Sequence, residues 1–370
     1  MLLFLTALLA ILRAPTHLLW MLAIGATELG HLLALLCLAA AVPLGNKTWY
    51  GRTSACLCFA AAILFITPLL RAEWIAGDIG QQIHKTFGDA AVHRPQPLVF
   101  AALFLGVAPP DVRPQKLIYQ KIDGADLSLD FYPVQDSERA PLVIVIHGGS
   151  WNSGDNTDFI PMDRYLAGRG FAVVDILYRL APRSPFPDAP EDVRAAIAYL
   201  KNRAVELNVD PARIVLLGRS AGAQIALHVA YSANDPGIRG VISFYGPTDL
   251  FWSWEHPGNP LVIDTRANLT DYLGGSPSSF PANYDAASPL QRATAASPPV
   301  LLLHGGRDEV VSPYHSDALA RRLTELGVHN LEISLPWATH GFDYFLRGPG
   351  GQISTYAVES FLRSVLDQHG

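Results

Sequence analysis

Hydrophobic positions along the chain follow two different rhythms, and the change falls near residue 110. Before it, apolar residues come in long runs. Leu18 to Leu44 is a 27-residue stretch whose only ionisable groups are Glu28 and His31, and Ala55 to Leu70 is a 16-residue run framed by Arg52 and Arg71. Both approach the roughly 20 residues that a helix needs to cross a bilayer. Met1 to Leu12 is equally apolar but shorter, ending at Arg13, Pro15 and His17. It lacks the positive n-region and small-residue cleavage site of a signal peptide, and predicts a third helix, either a short or tilted span or one lying in the interface. Leu98 to Val107 predicts a short helix on the surface or against a core. Too little polar sequence surrounds these runs to cover their outer faces. Residues 1–110 therefore predict an all-α transmembrane region of two to three spans plus a short interfacial helix, and an integral protein of a cell membrane. Glu28 and His31 stand three apart on one helix face, and a charge there needs a partner: a mutual hydrogen bond, or a contact with another helix. Arg13, Lys47, Arg52 and Arg71 are spread over every candidate loop, so positive-inside counting assigns no side to the remainder of the chain.

From about residue 116, short β-branched runs alternate with amphipathic stretches. Leu117–Ile122 and Leu127–Tyr132 read as paired strands around an Asp123-Gly124 turn. Further strands are expected at Leu142–Ile146, Ala172–Leu177, Ile214–Leu217, Val241–Phe244, Val300–Leu303 and Leu331–Leu335. Helical patterns occupy Pro190–Ala204, Ala221–Ala233, His315–Leu326 and Ser354–Leu366. Continuously apolar strands separated by helices imply a mostly parallel central sheet with helices on both faces, an α/β domain over 111–370. One gap breaks the alternation. Residues 246–298 are rich in Pro, Ser, Asn and aromatics, including Phe251, Trp252 and Trp254, and a connection that long predicts a lid or pocket wall.

Charge follows the same division. Residues 1–110 hold six of the 27 Lys/Arg and four of the 33 Asp/Glu, which leaves 21 bases and 29 acids in 111–370. An acidic globular part without a basic cluster argues against a nucleic-acid partner. The three cysteines, Cys37, Cys56 and Cys58, all lie in the oily region, so the globular part relies on neither a disulfide nor a cysteine metal site. Their odd number in apolar segments most simply reads as small buried thiols.

The chemistry is carried by four short stretches. Gly218-Arg219-Ser220-Ala221-Gly222 matches G-x-S-x-G between a strand and a helix, where glycines allow a sharp turn that exposes a serine. A serine hydroxyl is a poor nucleophile until a base takes its proton, an acid orients that base and donors receive the oxyanion. His147-Gly148-Gly149-Ser150-Trp151 directly follows a strand, so the N–H groups of Gly148 and Gly149, with that of Ala221, are candidate oxyanion donors, and His147 suits a role in holding the loop. Asp308, in His304-Gly305-Gly306-Arg307-Asp308-Glu309, lies just past a strand end with Glu309 as the competing acid. His340, in Pro336-Trp337-Ala338-Thr339-His340-Gly341-Phe342, follows the next strand and is the candidate base. Trp151, Phe251, Trp252 and Trp254 are candidate pocket residues.

The order Ser220, Asp308, His340 is that of α/β-hydrolases. Residues from about 117 to 368 resemble that superfamily, and within it the carboxylesterases of the hormone-sensitive-lipase group and the related feruloyl/acetylxylan esterase-like group. The resemblance rests on H-G-G-S-W at 147–151, Y-R-L-A-P…F-P at 178–187 with Asp192, G-R-S-A-G at 218–222, H-G-G-R-D-E-V-V at 304–311 and H-G-F at 340–342. It implies hydrolysis of carboxylic esters through an acyl-enzyme, without metal or organic cofactor. Two positions depart from the pattern: Ala223 stands where the second group continues its elbow with glycine, and Ser150-Trp151 replace the third glycine of lipase-like members. Because H-G-G-x-W also occurs in aryl formamidases of the superfamily, the sequence leaves two alternatives to a membrane-anchored serine carboxylesterase or lipase: an amidase of that kind, and a non-catalytic hydrolase fold acting as a binding module. The expected partners are a small-molecule or lipid-like ester and the lipid bilayer; the sequence assigns no oligomeric state.

Overall fold

The structure, a computed structural model, describes the chain except residues 45–47, 89–95, 123, 135–138 and 368–370. Its centre is a sheet of eight strands: β1 (Gln115–Ile122), β2 (Ala125–Tyr132), β3 (Ala140–Ile146), β4 (Ala172–Ile176), β5 (Val209–Arg219), β6 (Ile238–Phe244), β7 (Val300–Gly305) and β8 (Asn330–Leu335). They run in the order β1-β2-β4-β3-β5-β6-β7-β8. The first two pairings, β1 with β2 and β2 with β4, are antiparallel; all others are parallel. Of the expected Asp123-Gly124 turn, Asp123 lies outside the described residues and Gly124 has φ +78°.

Every residue of β3 is buried, because both faces of the sheet are covered. Alternate side chains enter opposite cores: Leu142, Ile144 and Ile146 on one side, Val143 and Val145 on the other.

The N-terminal part forms five helices: α1 (Leu2–Leu8), α2 (His17–Glu28), α3 (Gly30–Leu44), α4 (Trp49–Phe87) and α5 (Phe100–Leu105). Among the described residues α4 is the one helix long and apolar enough to cross a membrane, and α2 with α3, bent by 84° at Leu29, would together make a second. α4 has 39 residues, about 58 Å at 1.5 Å per residue and so nearly twice a bilayer's hydrocarbon thickness. Its buried stripe changes character along that length. Ala55, Cys58, Ala61, Ala62 and Phe65 face α1–α3, whereas Ala72, Ala76, Ile79, Ile83 and Phe87 join the core on the Val143/Val145 side of the sheet. Burying Ile79, Ile83 and Phe87 there stabilises the junction by about 1.5–3 kcal/mol each. The expected boundary near residue 110 thus coincides with no break in packing. Cys37 and Cys58 are buried as expected; Cys56 is exposed, since it lies on the outer face of α4.

Within the α/β part, α6 (Ile160–Ala167) covers the Val143/Val145 face, and α7 (Asp188–Asn202), the single turn α8 (Ala204–Leu207) and α9 (Ala221–Ala233) cover the other. Residues 246–298 contain α10 (Leu250–Glu255), α11 (Thr265–Leu273), α12 (Pro281–Ala287) and α13 (Pro289–Arg292). α14 (Tyr314–Glu325) joins the α7/α9 side and α15 (Pro349–Leu366) packs beside α4.

Polar contacts join the N-terminal helices to this body. The Arg307 guanidinium donates to Ala10 O at 2.7 Å, to Leu9 O at 2.8 Å and to Leu12 O, satisfying carbonyls left open at the end of α1. Ala14 N donates to Glu309 Oε1 at 3.1 Å, and Trp20 Nε1 donates to His340 O at 3.0 Å. Glu28 is fully buried; its Oε2 accepts from Gly350 N (2.8 Å) and Gly351 N (3.2 Å) at the start of α15. His31 pairs instead with Leu103 O through Nε2 at 2.8 Å. Of the two expectations for Glu28 and His31, contact with other elements is realised and a mutual hydrogen bond is not formed.

Candidate active site

β5 ends at Arg219 and α9 begins at Ala221, leaving Ser220 alone at the turn with φ 52° and ψ −121°. A non-glycine residue at positive φ is strained, and such strain persists where the surroundings impose it. Here they do. A Cβ on Gly222 would lie 2.1 Å from Ile146 O and 2.3 Å from His147 O, so α9 starts in contact with the end of β3.

The loops after β7 and β8 bring Asp308 and His340 to the same sheet edge. His340 Nδ1 lies 2.7 Å from Asp308 Oδ2. Asp308 Oδ1 accepts from Val310 N and Val311 N, each at 2.8 Å, which fixes the carboxylate plane. Burial alone would raise its pKa; His340, and behind it His304 with Nε2 3.4 Å from Oδ2, outweigh this and hold the carboxyl well below its ordinary range. An ionised carboxylate only accepts hydrogen bonds, so Nδ1 carries a proton, and in the neutral ring Nε2 is then the nitrogen with the lone pair. Ser220 and His340 line one cavity, and no Oγ–Nε2 hydrogen bond closes in this structure. Such bonds are commonly open until a substrate is bound. The competing acid Glu309 points away from His340 Nδ1: its Oε2 accepts from Thr339 Oγ1, and its Oε1 from Ala14 N.

The loop after β3 curls through three successive positive φ values, Gly149 at 109°, Ser150 at 54° and Trp151 at 63°. A Cβ on Gly149 would meet Ser153 O at 2.1 Å, so this position requires glycine. Among the described residues, the N–H groups of Gly148, Gly149 and Ala221 have no protein acceptor, and Gly148 and Gly149 line the cavity with Ser220. His147 holds this loop: its ring stacks on Tyr178 at 4.2 Å, and Tyr178 OH donates to His147 O. Trp151 stacks on Tyr272 of α11 at 4.5 Å and donates through Nε1 to Gln224 Oε1 of α9 at 2.8 Å.

Two cavities meet at Ser220. One, of about 490 Å³, has polar walls from Arg13, His256, Asn259 and Asn268, with Trp151 and Trp252 among its lining. The other, of about 310 Å³, is mostly apolar and lies between α2 (Trp20, Met21, Ile24) and the sheet edge (Phe159, Tyr344, Phe345). Phe251 and Trp254, also expected at the pocket, line neither. They stand three apart on α10 and face Tyr284, while Trp252 on the opposite side faces the cavity.

Several residues that position the site carry no local sequence signal. Arg219 is fully buried beneath the elbow; its Nε donates to Asp343 Oδ2 at 2.5 Å and its guanidinium lies 3.8 Å from the Phe159 ring centre. Asp343 Oδ1 also accepts from Tyr245 OH, whose ring packs 4.2 Å from that of His340. One carboxylate thereby links the serine turn to the histidine loop. The only hint was an acid three residues beyond His340 in an otherwise apolar stretch. Trp20, Met21 and Ile24 were hidden because they lie some 200 positions before Ser220 in a region that read as membrane alone.

A serine at a strained strand-to-helix turn, an acid and a histidine on the next two strand loops and a mostly parallel sheet with helices on both faces define an α/β-hydrolase. The chain belongs to the BD-FAE family, whose model matches residues 129–323, more than half of it. It is similar to esterase LipC of Mycobacterium tuberculosis, 30% identical over 62% of this chain and 59% of LipC, and to esterase LipQ of the same organism, 29% identical over 55% and 51%. The chain thus spans between half and three fifths of the length of these relatives. Among solved structures it is similar to Est2, a thermophilic esterase of Thermogutta terrifontis with butyrate bound, at 27% identity and TM-score 0.58, covering 71% of this chain and 99% of Est2.

Proposed function

We propose that the protein is a membrane-anchored serine carboxylesterase. The observation that carries this reading is the 2.7 Å Asp308–His340 hydrogen bond at the cavity that also holds Ser220 and the unengaged N–H groups of Gly148 and Gly149. His340 Nε2 takes the Ser220 hydroxyl proton as Oγ attacks the ester carbonyl carbon. Asp308 orients the imidazole and stabilises its charged form, and Gly148, Gly149 and Ala221 donate to the oxyanion. Collapse breaks the bond to the alcohol, which leaves with the proton from His340. Water then attacks the acyl-enzyme by the same route, releasing the acid and restoring Ser220. Family membership and the similarity to esterases support ester bonds as the target, and butyrate bound to Est2 supports acceptance of an acyl group.

Residues 1–110 serve as the anchor in this reading. Support comes from α4 and from the exposed apolar side chains Leu35, Leu36, Phe59, Ile63 and Leu70. Detergent-solubilised full-length protein should be labelled by a fluorophosphonate and should hydrolyse p-nitrophenyl esters. Ser220→Ala should abolish labelling and lower kcat by roughly 10³-fold or more. Absence of labelling in folded wild type refutes the enzyme reading, and cleavage of N-formylkynurenine in preference to every ester replaces it with an amidase.

A further inference from the structure

The apolar cavity beside Ser220 has one wall that no catalytic loop supplies. That wall is α2. Trp20 anchors it by donating to the backbone oxygen of His340, and Ile24 and Met21 line the space that Ser220, Gly148 and Gly149 line from the other side. Ile24 is buried, while Met21 is 52% exposed. Across the cavity Tyr344 is 57% exposed, so Met21 and Tyr344 form its rim. The rim opens beside exposed apolar side chains. Leu18, Met21 and Leu22 fall at helical spacing on one face of α2, and Leu18 and Leu22 are exposed at 69% and 46%. The second cavity at Ser220 is mixed: Arg13, His256 and Asn259 stand in its wall beside Trp151, Trp252 and Ile263, which lets it take the more polar end of an ester. The helix whose face surrounds the apolar mouth belongs to the set that includes α4, so on the anchor reading a lipid phase that holds α4 would also meet Leu18 and Leu22.

We propose that the substrate's hydrocarbon chain reaches Ser220 sideways from the lipid phase, passing between α2 and the Phe342–Tyr344 turn, and lodges against Trp20, Met21 and Ile24. The substrate is then a long-chain ester dissolved in the bilayer, with its polar part in the second cavity. This rests on the ester-hydrolase reading above. The anchor does more than localise, since one of its helices is a wall of the pocket.

The test uses full-length protein in phosphatidylcholine vesicles with two substrate series: p-nitrophenyl esters from acetate to palmitate, and alkyl acetates from hexyl to hexadecyl. In one series kcat/KM should rise at least about tenfold from the shortest to a mid-length chain, as buried methylenes add favourable transfer energy. Which series responds tells whether the chain belongs to the acid or the alcohol. Ile24→Trp, which fills the cavity, should lower the long-to-short ratio at least about fivefold, and Ile24→Ala should move the preferred length upward. Fluorophosphonate labelling of each variant reports whether its Ser220 site is folded. A long-chain ester placed in the enzyme's own vesicles should be consumed well before the same ester in enzyme-free vesicles. The proposal falls if neither series responds to length, if labelled Ile24 variants keep the wild-type ratio, or if both vesicle populations are consumed equally. Wild type that cuts no ester and takes no label overturns the ester-hydrolase reading instead.

Discussion

All seven residues of β3 are buried, whereas α2 buries only Ala23, Ile24, Ala26, Thr27 and Glu28 of its twelve and leaves Leu18, Met21 and Leu22 exposed. The sheet half buries both faces: one against its own helices, the other against its own helices together with the second half of α4. Of the N-terminal helices, α4 is held to the sheet half by apolar burial, whereas α1 and α2 are held there by a few directed hydrogen bonds that involve Arg307, Glu309, Trp20 and Glu28. The comparison teaches that non-directional burial suffices to assemble the sheet, but fixing a helix beside a reacting serine takes directional contacts. Oily side chains alone would let α2 slide or rotate with little change in energy. A hydrogen bond of 3.0 Å to the backbone of His340 does not.

Variants on the two sides should fail differently. The largest effect belongs to the sheet half, where Arg219→Met removes the partner of a fully buried carboxylate and leaves Asp343 with Tyr245 alone. A loss of about 3–5 kcal/mol is expected, read as a lower unfolding midpoint in denaturant, because breaking a buried pair leaves an uncompensated charge. On the helical side, Glu28→Ala leaves the N–H groups of Gly350 and Gly351 buried without an acceptor. It should cost roughly 1–3 kcal/mol, with faster hydrogen exchange confined to the start of α15.

A third prediction concerns pH. Burial lifts the Asp163 carboxyl on α6 from 3.8 to about 7 despite the nearby Arg219, and Asp175 on β4 is raised as well, by burial and by Asp163. Folded protein therefore holds a proton there that unfolded chain has released. Stability should fall as pH climbs from about 4 towards 7, by at most about 1.4 kcal/mol per pH unit for each carboxyl that keeps its proton, and Asp163→Asn should lessen that slope. A rise with pH over this window in wild type relative to Asp163→Asn would contradict it. A fourth prediction is for Arg307→Ala, which loses three hydrogen bonds at the end of α1 at about 0.5–1.5 kcal/mol each. Limited proteolysis should show it as new cleavage between residues 9 and 16, with the sheet half intact.

What the sequence disclosed follows the same division. The inner strands were legible because parallel strands buried on both faces are near-continuous apolar runs, and β1 and β2 because two short β-branched runs flank an Asp-Gly turn. Ser220, Asp308 and His340 could be singled out as candidates because each lies at or in the loop after a strand end. α6 was not, since two turns holding a buried Asp163 give no apolar stripe. α15 was expected from Ser354 and starts at Pro349, because Pro-Gly-Gly reads as a breaker until Glu28 arrives to accept the hydrogen bonds of its first turn. The same limit hid the partner of Arg219 and the part played by α2. Each depends on residues more than a hundred positions apart, and periodicity reports only on neighbours.

The hydrogen bond between Glu28 and Gly350 spans 322 positions, and it sets a clock for biogenesis. At about 5–20 residues per second, the N-terminal helices are synthesised on the order of tens of seconds before the glycine that completes their contact. During that interval the Glu28 carboxylate has no α15 to receive it and must stay hydrated, or take up a proton, beside apolar helices already made. α2, made early, therefore settles late, and the start of α15 decides when it does.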